Sequence, residues 1–274
     1  MKYAYMLILV LVTACSKNAD NQGVVLDLDR DRSISYETWL PTMDLKTNPS
    51  PKSKEKRLPL IVISHGSGGD YANHSWLIDA FVDNGFIVVG LNHPLNTTTN
   101  NTDVGVVSVW LRPTDITKLL DHLLNESKWA TTIDAEPIGA AGFSSGGYTV
   151  LALAGARYNA ELMQAYCASE ESGKDCELAT DFSNVDYTGS SYSYSDARIK
   201  SVFAMAPAIG SAITLDSLAS IRRPIFIIAA TDDELVPLHA SALRYAKNIP
   251  NSELILLPSG GHFIFLQCNA IIKV

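Results

Sequence analysis

Apolar residues along the chain cluster in short unbroken runs, Leu60–Ile63, Phe86–Val89 and Pro137–Ala141, and Val202–Met205, Ile225–Ala229 and Glu253–Leu257 complete the expected strands. A run of this length without polar alternation suits a strand covered on both faces, as in a parallel sheet. Segments of helical period lie between several of the runs. His74–Asn84 predicts a helix closed by Gly85 at its C-cap, and Asp115–Leu124 places Ile116, Leu119, Leu120, Leu123 and Leu124 on one face. Ser145–Arg157 is small and apolar all round, which predicts a helix inside the body. A further helix is expected near His239–Asn248. Strands alternating with helices imply right-handed crossovers and a largely parallel sheet.

Gly23–Leu40 alternates loosely and reads as two strands joined near Asp29–Ser33. Pro41–Arg57 and Asn92–Asp103 read as loops, and Asn159–Asp196 as a polar, Ser/Tyr-rich insertion between a helix and a strand. No repeat and no boundary divides the chain, so residues 23–274 are expected to form one domain with an insertion at 159–196.

Residues 1–15 have a different pattern. Lys2 precedes the apolar stretch Tyr3–Val12, and Thr13-Ala14-Cys15 follows. A charge, a short apolar core and small residues make a secretory signal, too short to span a bilayer. Val12-Thr13-Ala14-Cys15 resembles a bacterial lipobox. The resemblance implies removal of 1–14, acylation of Cys15, a tether over 15–22, and a protein lipid-anchored on the periplasmic or extracellular side of the cell envelope. A plain signal peptide would make the protein secreted. In an oxidising compartment Cys167, Cys176 and Cys268 allow three single pairings, of which the short-loop pair Cys167–Cys176 is the simplest.

Composition narrows the function. A chain of 274 residues, 47% hydrophobic and 18% charged, is that of a folded protein rather than a disordered one. Its net charge is −8 and its one basic run is Lys52–Arg57, which argues against a nucleic-acid partner. Asp27, Asp29 and Asp31 have the spacing that opens a calcium loop. Arg32 and Thr38 occupy the places where such a loop needs Gly and Glu, so no metal or cofactor is implied.

Gly142-Phe143-Ser144-Ser145-Gly146 is a G-x-S-x-G, set between the run Pro137–Ala141 and the helix from Ser145. Strand, tight turn and helix are the setting of a nucleophile elbow, which lifts Ser144 above the sheet. A serine hydroxyl needs a base. His262 follows the last strand in Ser259-Gly260-Gly261-His262-Phe263, at the end of the sheet where catalysis gathers. His74, His93, His122 and His239 read as surface or packing residues. The base needs an acid, and Asp232, Asp233 and Glu234 crowd the end of the strand before it. Chemistry alone leaves that choice open. The order Ser144, acid, His262 is that of α/β-hydrolases. An oxyanion needs donors: the Ser145 N–H is one, and the Gly-rich loop Ser64–Gly69 should bring another.

These motifs together resemble the dienelactone-hydrolase-like and platelet-activating-factor-acetylhydrolase-like families. The matching segments are Ser64-His65-Gly66-Ser67-Gly68-Gly69, Asn84–Pro94, Arg112-Pro113-Thr114-Asp115-Ile116, the elbow, Asp233–Pro237 and Gly261-His262-Phe263. The resemblance implies an α/β-hydrolase fold, Asp233 as the acid through a D-x-x-V-P pattern, and Ser67 as the second oxyanion donor. Dienelactone hydrolases carry a Cys nucleophile, so that substrate is not implied. The family also continues past its His loop into a closing helix, whereas 12 residues follow His262, so a shortened C-terminus is expected.

The expected activity is serine-dependent cleavage of a small-molecule or lipid carboxylic ester through an acyl-enzyme. Two alternatives compete: a phospholipase A2-like acetylhydrolase acting on oxidised or short-acyl phospholipids, and a non-catalytic lipid-anchored binding protein of the same fold.

Overall fold

In the computed structural model, residues 19–41 and 57–266 are described. The segment 1–18, with its signal pattern and Cys15, and residues 267–274, with Cys268, lie outside them, as does most of the loop 41–57.

The strands are β1 (Asn21–Asp27), β2 (Arg32–Trp39), β3 (Leu58–Ser64), β4 (Ile87–Leu91), β5 (Ile133–Phe143), β6 (Ile199–Met205), β7 (Ile225–Ala230) and β8 (Ser252–Leu257). They form one eight-stranded sheet in the order β1-β2-β4-β3-β5-β6-β7-β8. β1 pairs antiparallel with β2, and β2 with β4; every pairing from β4 to β8 is parallel. This is the mostly parallel α/β-hydrolase sheet that the apolar runs anticipate.

The unbroken runs follow from helices on both faces. On β3, Leu60 and Val62 face one core layer, with α3 (Arg112–Asn125), α4 (Ser145–Ala154) and α7 (Ala242–Asn248). Ile61 and Ile63 face the other, with Leu77, Ile78 and Val82 of α1 (Ser75–Asp83). Each such side chain stabilises the fold by about 1.5–3 kcal/mol on leaving water. All of α4 is buried, as its all-round apolar sequence requires.

Two boundaries differ from the sequence reading. β1 begins at Asn21, within the stretch read as tether, because its ladder to Thr38 and Glu37 is built from backbone groups and tolerates polar side chains. β5 begins at Ile133 rather than Pro137, since Ile133 and Asp134 pair with Leu58 and Pro59 before a register shift restarts the ladder at Ile138.

The insertion 159–196 carries α5 (Ala160–Cys167), capped by the Asn159 side chain, which accepts from Leu162 N–H. A disulfide joins Cys167 to Cys176. Asp103, the first residue of α2 (Asp103–Val107), accepts from Asp181 N–H and the Thr180 hydroxyl, which pins the insertion to the main body.

Candidate active site

Four parallel strands deliver the candidate residues to one edge. β3 leads into the His65–Gly69 loop, β5 into Ser144, β7 into Asp233 and β8 into His262. Ser144 sits at φ 55° and ψ −117°, a conformation that costs about 1–3 kcal/mol. Its neighbours hold it there: Ser144 N–H donates to Met205 O at 2.9 Å, and Ala208 N–H to Ser144 O at 3.1 Å. The glycines of the motif are steric necessities. A Cβ at Gly142 would stand 2.2 Å from Gly146 O, and one at Gly146 would stand 2.0 Å from Ser64 O. Strand, turn and helix could not come this close with side chains between them.

His262 Nε2 lies 2.9 Å from Ser144 Oγ, and its Nδ1 lies 2.7 Å from Asp233 Oδ2. A carboxylate only accepts, so Nδ1–H donates to Asp233 and Nε2 is left to accept the Ser144 hydroxyl. Asp233 Oδ1 in turn accepts from Leu235 N–H at 3.0 Å and Val236 N–H at 2.8 Å. Both ring and carboxylate are shielded, their side chains 1% and 2% exposed. The His262 loop is fastened from behind, where Trp76 Nε1–H donates to Phe265 O at 2.8 Å and the Phe143 ring lies 4.9 Å from the imidazole. The structure thus brings Ser144, Asp233 and His262 into one hydrogen-bonded line.

Ser145 opens α4, so its N–H is among those a helix leaves without an internal acceptor. Ser67 follows Gly66, where a Cβ would stand 3.4 Å from Ser144 Cβ. Both expected oxyanion donors therefore belong to segments bordering the serine.

A buried polar cluster under this edge escaped the sequence reading. His65, His93 and Asp115 are fully buried and Arg112 is 1% exposed. Asp115 accepts from Arg32 Nε at 2.7 Å and Arg32 Nη2 at 2.5 Å, from Arg30 Nη2 at 3.0 Å, and pairs with His93 Nδ1 at 2.9 Å. Burial pushes the Asp115 carboxyl up, yet hydrogen bonds from His93 and Arg32 outweigh it and hold the group well below the usual carboxylate range. Burial and the Arg112 guanidinium bring His93 down to about 3. Burial, then Arg112 and His93, hold His65 well below the imidazole range, while burial brings Arg112 down to about 9. His93 is no surface residue, and His74 is fully buried too, brought down to about 4 by burial. The available signal was Arg112 and Asp115 on the apolar face of α3, where a charge must find a partner.

A cavity of about 650 Å³ opens beside Ser144 and Ser145. Val107, Tyr158, Met163, Phe182, Ile209 and Val236 give it apolar walls. Its charged lining residues are Glu161 and Asp175, with no Lys or Arg among them. The insertion forms much of the wall, including the Cys167–Cys176 disulfide. The loop 92–103 adds no lining residue; its Asn96 side chain donates to Ser67 Oγ at 3.0 Å, bracing the His65–Gly69 loop.

The BD-FAE family model matches residues 43–247, a span that includes Ser144 and Asp233 and stops before His262. Among solved structures, Thermogutta terrifontis esterase 2 phosphorylated by paraoxon is similar over 89% of this chain and 85% of its own, at 15% identity and a TM-score of 0.57. At that identity the likeness is one of fold. No curated protein matches the chain.

Proposed function

The chain belongs to the BD-FAE family of α/β-hydrolases, and from that premise we propose that it hydrolyses carboxylic esters with Ser144 as nucleophile, His262 as base and Asp233 as the acid that orients it. The observation that carries the reading is the unbroken line from Asp233 Oδ2 through His262 to Ser144 Oγ at the mouth of an apolar cavity.

In this reading His262 Nε2 takes the Ser144 proton as Oγ attacks the ester carbonyl carbon. The N–H groups of Ser67 and Ser145 receive the oxyanion. The alkoxide leaves with the proton from His262, and the acyl group stays on Ser144 Oγ. Water gives a proton to His262 and its oxygen adds to the acyl carbon; the carboxylic acid departs and the proton returns to Oγ. Asp233 keeps Nε2 unprotonated before attack and stabilises the imidazolium formed after it.

The walls fit a neutral, apolar acyl or alcohol group. A phosphate-bearing lipid would meet Glu161 and Asp175 with no cation among the lining residues, which ranks the acetylated-phospholipid alternative lower. A non-catalytic binding module would have no use for three groups in this register. From the sequence pattern we also propose acylation of Cys15 and a location at the cell envelope.

The test is turnover of p-nitrophenyl esters of graded chain length by the full chain and by Ser144→Ala. Wild type should turn over, and the variant should lose at least about a thousandfold in kcat. A folded wild type inert across the series, and unlabelled by a fluorophosphonate, would defeat the proposal.

A further inference from the structure

A second Ser–His–Asp line runs beneath the first. Ser64 Oγ lies 2.9 Å from His93 Nε2, and His93 Nδ1 lies 2.9 Å from Asp115 Oδ2. All three residues are fully buried, so no substrate reaches Ser64. The line must do something other than nucleophilic chemistry, and its neighbours show what.

The direction of every bond in the cluster is fixed. The Asp115 carboxylate can only accept, so His93 donates from Nδ1 and its Nε2 accepts the Ser64 hydroxyl. The His93 backbone N–H can only donate, and it points to His65 Nε2 at 3.0 Å. His65 Nε2 is therefore an acceptor, and the ring proton sits on Nδ1. That Nδ1–H donates to Gly66 O at 2.6 Å. Arg112 Nη2 donates to His65 O, holding the same loop from its other side.

Gly66 O belongs to the peptide unit that carries the Ser67 N–H. In a planar trans peptide the C=O and N–H point in opposite directions. Turning the carbonyl toward the buried ring therefore turns the Ser67 N–H away from that ring. Gly69 N–H also donates to Gly66 O, at 3.2 Å, but as part of the same loop it moves with it. The His65 ring is the anchor tied to the body, through His93 at the end of β4 and Asp115 on α3.

We propose that Asp115, His93 and His65 are positioning residues that aim the Ser67 N–H at the developing oxyanion, an inference that rests on the esterase reading above. Aiming a donor before the reaction is where such sites gain most, because nothing need reorganise as charge develops.

The closing experiment has two arms on the full chain. In the first, the ring nitrogens of the wild type are read by 15N NMR at pH 7. His65 and His93 should both be neutral with the proton on Nδ1; finding His65 protonated on Nε2, or as an imidazolium, overturns the proposal. In the second, His65→Asn retains a donor at the Nδ1 position, while His65→Gln places its amide at the Nε2 position. His65→Gln should fall about tenfold below His65→Asn in kcat, with KM within about twofold. Equal kcat in the two variants, or a loss carried by KM alone, overturns it. If the wild type hydrolyses no ester, the esterase reading fails and takes this proposal with it; an active wild type with the wrong ring tautomers overturns this proposal alone. The tautomer arm needs no variant to fold.

Discussion

Asp233 is selected from three adjacent acids by the backbone around it. Its Oδ1 is occupied by the N–H groups of Leu235 and Val236, which leaves Oδ2 facing His262 Nδ1. Asp232 accepts from the Thr231 hydroxyl instead, out in solvent. Charge could not separate them in the sequence; the D-x-x-V-P pattern could, because it carries the turn. Ser144 and His262 were legible from motif and position, whereas His65 and His93 were not, because their burial depends on residues far along the chain. For Asp233→Asn we expect a loss in kcat of about 10⁴-fold with the fold intact, since the amide favours the wrong tautomer of His262. Asp232→Asn should leave kcat within about twofold. Steady-state kinetics on both variants tests the assignment, and equal losses would refute it.

Among the elements, the central strands β3 and β4 were readable because helices cover both faces of the sheet there, whereas the outer β8, read as a similar strand, has no buried residue. The polar ends of β1 and β5 were not readable, since a ladder of backbone groups places no demand on Asn21 or Asp134. α3 starts at Arg112, ahead of the Asp115 at which periodicity placed it, because Arg112 and Asp115 are buried on it and held by partners far along the chain. A close approach lies at the elbow, where α4 meets the end of β3. For Gly146→Ala, a Cβ 2.0 Å from Ser64 O and 2.7 Å from His65 O can be relieved only by separating α4 from the oxyanion loop. We expect at least about 2 kcal/mol lost in urea unfolding, together with most of the kcat. Wild-type activity in this variant would show that the approach is looser than the structure has it.

For the molecule as a whole, buried neutral histidines set the response to acid. His74 is held down to about 4, chiefly by burial, against an ordinary value of about 6.5. Between those values the unfolded chain binds a proton that the folded chain refuses. The stability present above pH 6.5 is therefore lost as pH falls toward 4. His93 and His65 act in the same direction. His74 has no hydrogen-bond partner at either ring nitrogen and packs 5.8 Å from the Phe143 ring, so its polarity contributes nothing to the fold. His74→Leu should be more stable than wild type by about 1 kcal/mol at pH 7. The difference should widen by about 2 kcal/mol at pH 5. Denaturant unfolding at the two pH values measures this, and parallel losses in the two proteins would contradict it.

Ser144 and His262 stand 118 residues apart along the chain, and His262 follows the outermost parallel strand. The elbow between β5 and α4 is built without β8, whereas His262 is placed only when β8 is docked on β7. Without that docking the serine has no base and is chemically quiet. Under the proposed mechanism, competence therefore requires the outermost parallel strand to be docked, and the elbow alone does not suffice.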